Sequence, residues 1–282
     1  MRESDMQITG EPEVTPTIAG DTIVGTEGKY IYCVADSGET VGLGKIGIDE
    51  NEVYTIGYRD ICAVAHRCPA EPYKSDDPEA IEVWVLRHQQ VIDAAWERWG
   101  TVLPLAFDTI IAAREGSDAE QNTWNWLREE YQNLKGKIER VRGKAEYGVQ
   151  VFWEPKLIAQ NLSETSPEIR QLEEEISTKS RGLAYMYRQK LEGLLRREME
   201  AEGDSCFKDF YRRIKAQVDD IRVEKTKTRK ADQGLQMIMN LSCLVARDKY
   251  LELGRVLEEI DKIEGFSIRF TGPWPPYSFV GT

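Results

Sequence analysis

Histidine is nearly absent from this chain, which has only His66 and His88 among 282 residues. That leaves little for imidazole base chemistry or metal ligation, and no H-E-x-x-H pair is present. The G-x-S-x-G elbow and the P-loop are missing as well. No stretch approaches the ~18 consecutive apolar residues of a membrane-spanning helix. Cysteine is sparse and odd in number: Cys33, Cys62, Cys68, Cys206 and Cys243. A scattered odd set reads as reduced thiols in a cytoplasm, not as a disulfide framework. Net positive charge is absent too. The formal net charge is −12, which argues against a nucleic-acid binder and against docking on anionic lipid. The first residues, Met1-Arg2-Glu3-Ser4-Asp5, lead into no apolar segment of the secretory kind.

What is present suits a folded protein of two domains. Hydrophobic residues are 41% and charged residues 30% of the chain, enough to bury a core. The length fits two domains of ~100–150 residues each. Residues 1–28 carry few large apolar groups and read as a flexible acidic leader. Residues 29–143 then read as an N-terminal α+β domain. β-branched and aromatic runs predict strands at 29–35, 53–56, 61–65 and 102–107. Asp77-Pro78-Glu79 starts a helix reaching about Trp99, with an Asp cap and Pro in the first turn. A second helix is expected over 118–141.

The second domain, 144–271, alternates more cleanly. Tyr147, Val149, Val151 and Trp153 form one strand, and Leu235 to Val245 a longer one. Ile221 and Val223 mark a short strand; Phe266, Ile268 and Phe270 mark the last. With helices between, the order is βαββαβ, that of a ferredoxin-like fold. The fold class is therefore α+β with two domains, the second a modified ferredoxin-like fold carrying a long helical insertion. That insertion, about 155–218, exceeds what one crossover needs. It is expected as a long helix over 166–201, broken at Gly203-Asp204, then a shorter one. An arm of this kind serves contact more often than chemistry. Its apolar stripe includes Ile169, Leu172, Ile176, Leu183, Tyr187 and Leu191.

Each apparent chemical motif has a plainer reading. Gly42-Leu43-Gly44-Lys45-Ile46-Gly47 matches G-x-G-x-x-G, but a strand follows too soon for the helix a pyrophosphate needs. Cys62, His66 and Cys68 share a strand face. Cys62 and His66 lie about 13 Å apart along it, too far for one metal, so buried thiols are the better reading. His88 falls in an apolar helix stripe and reads as a hydrogen-bonded core residue. Glu173-Glu174-Glu175 reads as a solvated helix face. Arg222, Lys225, Lys227, Arg229 and Lys230 cluster at a hairpin tip with no aromatic to stack a base; such a tip discourages edge pairing or meets an acidic protein. Residues 272–282 join three prolines to three aromatics. Trp274, Pro275, Pro276, Tyr277 and Phe279 are expected to pack on the body, across both domains. No catalytic residue, cofactor or metal ligand emerges.

Several segments in order resemble the gas vesicle protein F/L family (GvpF/GvpL). They are Tyr30-Ile31-Tyr32-Cys33-Val34, Ile61-Cys62-Ala63-Val64, His88 with Val91 and Ile92, and Thr101-Val102-Leu103-Pro104-Leu105-Ala106-Phe107-Asp108-Thr109. Ala145-Glu146-Tyr147-Gly148-Val149, Gly182-Leu183-Ala184-Tyr185-Met186 and the closing Arg269-Phe270-Thr271-Gly272-Pro273-Trp274-Pro275-Pro276-Tyr277-Ser278-Phe279 complete them. The family pattern has Arg-Phe-Gly-Thr where this chain has Ala106-Phe107-Asp108-Thr109. The resemblance implies a non-enzymatic accessory or minor structural protein of gas vesicle assembly and nucleation, cytoplasmic and gas vesicle associated. Its implied partners are the hydrophobic shell protein and other accessory proteins, with no nucleic acid and no membrane. The alternative is a cytoplasmic ligand-binding or enzymatic protein built on a ferredoxin-like domain. A deep pocket around His66 or His88 would favour it.

Overall fold

The computed structural model describes residues 23–226 and 234–280. The chain divides into two compact units. One runs to Gly143 and takes the chain back from Pro275; the other is Lys144–Trp274.

In the first unit, six strands form one antiparallel sheet: β1 (Ile23–Ala35), β2 (Gly42–Gly44), β3 (Val53–Tyr58), β4 (Ile61–Pro69), β5 (Val102–Pro104) and β6 (Ile110–Arg114). The order is β2-β3-β4-β1-β5, with β6 also paired to β1. β1 starts at Ile23, earlier than the leader 1–28 allows. Gly28 explains the extension: its backbone pairs with Cys68 on one side and Ala112 on the other. A Cβ there would lie 2.8 Å from the Ile110 side chain, so only glycine lets the strands close. The remainder of the leader, 1–22, lies outside the described residues.

Helix α1 (Pro78–Trp99) begins as expected, with the Asp77 carboxylate accepting from the Glu79 N–H at 3.0 Å. Its Val91, Ile92 and Ala95 share a core with Tyr30, Tyr32, Cys62, Val64 and Cys68. The alternate strand residues Ile31, Ala63 and Ala65 are buried on the opposite face, which α2 (Ala119–Glu129) covers. The single helix expected over 118–141 is two, since α3 (Tyr131–Val141) turns off at Glu130. The turn lets Trp124 and Tyr131 both pack edge-on against Tyr58, and Tyr131 donate to Asp60 at 2.6 Å.

The second unit opens with β7 (Lys144–Trp153), followed by α4 (Pro155–Thr165), α5 (Pro167–Thr178) and α6 (Arg181–Lys215). Then come β8 (Asp220–Val223), β9 (Gln236–Ala246), α7 (Tyr250–Asp261) and β10 (Phe266–Trp274). The sheet is antiparallel throughout, in the order β10-β7-β9-β8. Met237, Met239, Leu241 and Cys243 alternate into the core, as do Leu253, Leu257 and Ile260 of α7. Arg213 of α6 reaches Glu259 of α7 at 2.8 Å.

Two helix boundaries in the arm differ from the sequence reading. The chain breaks at Lys179 and Ser180, and α6 then passes unbroken through Gly203. Gly203 is a packing glycine: a Cβ there would sit 3.3 Å from the Trp153 ring. The buried residues of α6, Ala184, Leu194, Phe210 and Ile214, fall on no single stripe, so no one periodicity marks its full length. The last described turn, α8 (Tyr277–Val280), belongs to the first unit.

Candidate functional site

The two histidines sit inside the first unit, paired with tyrosines of β1. Tyr30, Tyr32 and His66 are 0% exposed and His88 is 4% exposed. His88 Nε2 lies 3.2 Å from the Leu105 carbonyl, which can only accept, so Nε2 carries the proton and Nδ1 accepts from the Tyr30 hydroxyl at 2.9 Å. The Tyr30 oxygen in turn accepts from the Asp108 N–H at 3.1 Å. His66 is held at both nitrogens, by Tyr32 at 2.7 Å and by Tyr73 at 3.0 Å. Tyr32 also accepts from the Ile48 N–H at 3.0 Å. Phe107 packs edge-on against both Tyr30 and His88.

Asp108 closes this network. Its φ is 64°, in the left-handed region. Glycine meets that conformation without strain, and Asp tolerates it better than most residues. Its carboxylate accepts from the Tyr73 N–H at 3.0 Å, a bond glycine cannot make.

Burial without a neutralising charge sets the chemistry here. Desolvation lowers both histidines to about 4, so they are neutral near pH 7. The same cause pushes both tyrosines well above the ordinary phenol value, Cys62 up to about 12 and Cys68 up to about 11. No thiolate or imidazolium forms at neutral pH, and every ring nitrogen is bonded within the protein. Among the described residues no cluster of three His, Cys, Asp or Glu side chains could hold a metal. The glycine motif starts on edge strand β2 and ends at Gly47, the N-cap of a short 3-10 turn at Ile48–Glu50; β3 follows. No local sequence pattern marks these Tyr–His pairs, because Tyr30 and His88 are 58 residues apart and Tyr32 and His66 are 34 apart.

The tail residues are placed as follows. Trp274 ends β10 in the second unit, paired with Glu146. Pro275 and Pro276 are buried and belong to the first unit, as do Tyr277 and Phe279. Tyr277 packs against the α1-side core, Phe279 is buried, and Lys137 donates to the Val280 carbonyl at 3.1 Å.

The arm offers its surface elsewhere than the stripe suggested. Ile169 and Leu172 are buried, because α5 folds back on α6 and these residues fill the seam. Their side chains are therefore covered in this structure. Ile176, Tyr187 and Leu191 are half-buried. Leu183 is exposed, and beside it Tyr185 and Met186 are 65% and 66% exposed. Further along α6 a groove of about 650 Å³ opens, floored by Trp153, Leu195, Met199, Phe207, Met237 and Ile238. Of the basic tip, Arg222 lies in β8, and Asn240 bonds the Lys225 carbonyl at 2.9 Å. Lys227, Arg229 and Lys230 fall outside the described residues. Among the described residues no helix is long and apolar enough to cross a membrane.

These features define an α+β protein with a closed polar core in one unit and an open helical surface in the other. The family model "Gas vesicle synthesis protein GvpL/GvpF" matches residues 28–281, so the chain belongs to the GvpL/GvpF family and has a gas vesicle accessory role. Gas vesicle protein L1 of Halobacterium salinarum is 31% identical over 278 residues, 95% of each chain. Gas vesicle protein L of Haloferax mediterranei is 30% identical over 249 residues, 85% of this chain and 74% of that one. The crystal structure of GvpF from Anabaena sp. PCC7120 matches with a TM-score of 0.72 at 20% identity, covering 91% of this chain and 99% of that one. At that identity the likeness concerns the fold.

Proposed function

We propose that this protein is a non-enzymatic assembly factor that binds the hydrophobic gas vesicle shell protein, together with other accessory proteins, during nucleation. The family match over 28–281 carries this reading. The place is the helical arm of the second unit, where Leu183, Tyr185 and Met186 stand exposed at the start of α6. A shell subunit with an apolar face needs temporary cover until it joins a growing wall. An exposed aromatic and aliphatic patch supplies that cover, and a net charge of −12 keeps the carrier itself dispersed. The protein then acts in the cytoplasm and at the vesicle.

We read the second unit as a ferredoxin-like domain. Its strands β7, β8, β9 and β10 stand in the order fourth, first, third, second, with α4 to α6 forming an enlarged first crossover. A catalytic or ligand-binding reading has less support. Both histidines are enclosed, and their nitrogens are already bonded.

The test is co-production of the tagged chain with the shell protein. The reading expects the shell protein to stay in the supernatant and to co-purify. Shell protein that pellets equally with and without the chain, and is missing from the eluate, would overturn it.

A further inference from the structure

We propose that the middle of α6, Glu192 to Phe207, lines a docking groove for a basic amphipathic helix, about three turns long, presented by a partner protein. This goes beyond the shell-protein reading: the groove begins at Glu192, about 9 Å along α6 from Met186 at 1.5 Å per residue, and its chemistry differs from that of the arm tip.

The argument starts from two parallel rows on one face of α6. Leu195, Met199, Gly203 and Phe207 recur every four residues, and so do Glu192, Arg196, Glu200 and Asp204. Both rows line the groove. Each spans about 18 Å, the length of a helix of about twelve residues. Rows at this spacing are the ridges against which a second helix packs. Gly203 lets α6 close onto the Trp153 ring, so that ring rather than a side chain of α6 fills this place in the apolar row. Met199 and Met237 line the groove with flexible thioethers that adapt to the shape of a partner.

The second row sets the sign of the partner. It holds three carboxylates and one guanidinium. The side chains of Glu192, Glu200 and Asp204 have no hydrogen-bond or ion-pair partner among the described residues. Elsewhere on α6 the pattern differs: Asp209, one turn on, is held by Arg212 and Arg213. An occupant with Lys or Arg bordering its apolar stripe pairs the open carboxylates while its apolar residues cover the floor. An acid-bordered helix meets repulsion along the same edge.

The test uses the full chain and a dye-labelled peptide of about fourteen residues, built of leucine and lysine at helical spacing, with a leucine–glutamate counterpart. Binding is read by fluorescence anisotropy. Glu192→Lys with Glu200→Lys is expected to weaken the lysine peptide about tenfold or more. Glu173→Lys with Glu174→Lys on α5, the same change in net charge, is expected to change it less than about twofold. Met199→Ser with Ile238→Ser is expected to weaken it about fivefold, with the far-ultraviolet circular dichroism unchanged. Equal losses in the two charge-reversed pairs would reduce the effect to bulk charge and overturn the proposal. So would equal binding of the glutamate peptide, or a groove-dependent dimer in sedimentation equilibrium, because the occupant would then be a second copy. The arm-tip reading is scored separately: shell protein that still co-purifies while the peptide fails to bind the groove removes only this inference.

Discussion

In the first unit Tyr30, Tyr32, His66 and His88 bond to one another inside the core, whereas in the second Glu192, Glu200 and Asp204 stand open beside an apolar row. The first arrangement fixes one packing, because each donor and acceptor lost from it leaves a buried partner unsatisfied. The second leaves those carboxylates without a side-chain partner among the described residues, and it is the proposed surface for another molecule. Burial of polar groups therefore marks the scaffold here, and exposure of apolar groups marks the proposed contact surface.

The largest expected effect tests how firmly the first unit is closed. Phe279→Ala should destabilise that unit by about 3–5 kcal/mol, since the ring is 1% exposed. Loss of hydrogen-exchange protection in β1 and β5 is the readout, and unchanged protection would mean that the tail is dispensable.

Next comes the network itself. Tyr32→Phe strands His66 Nδ1 and the Ile48 N–H together and should cost about 1–3 kcal/mol by denaturant unfolding. Tyr73→Phe removes a bond from a less buried ring and should cost about 1 kcal/mol. Neutral outcomes at both positions would deny the network a structural role.

A third comparison uses pH. Both histidines are held at about 4 in the folded chain, below the ordinary value of about 6.5. The unfolded chain therefore binds more protons between those values, and stability falls as pH drops from about 6.5 toward 4. Each histidine contributes a slope of up to about 1.4 kcal/mol per pH unit. Unfolding of His66→Gln and His88→Gln variants should show a flatter profile across this window; an unaltered slope would place the acid sensitivity elsewhere.

The smallest effect separates two glycines of the same helix. Gly193→Ala meets open space and should stabilise by up to about 1 kcal/mol through helix propensity. Gly203→Ala meets the Trp153 ring at 3.3 Å and should gain less. Equal thermal shifts would show that the ring yields freely.

Much of this was readable from local pattern. The Asp77 cap, the period-two runs of β7 and β9, and the mixed α+β class follow from rules that act over a few residues. What escaped depends on residues far apart. Gly203 looks like a helix break until Trp153, fifty positions earlier in the chain, is placed beneath it. Ile169 and Leu172 look like surface until α5 folds back on α6. The groove escaped for the same reason: the rows of α6 are visible as spacing, but the floor that Met237 and Ile238 complete comes from another element. The Tyr–His pairs needed the register of β1 against β4 and the placement of α1 before they could be seen.

The proposed partner contact lies on the second unit, along α6. The most direct measurement is shell-protein binding by two triple variants of matched character. One is Leu183→Glu, Tyr185→Glu and Met186→Glu at the start of α6. The other is Ile81→Glu, Val83→Glu and Leu86→Glu on α1, whose residues are also exposed. A loss of about tenfold or more is expected for the α6 set and less than about twofold for the α1 set. The opposite ranking, with binding lost on α1 and kept on α6, would contradict it.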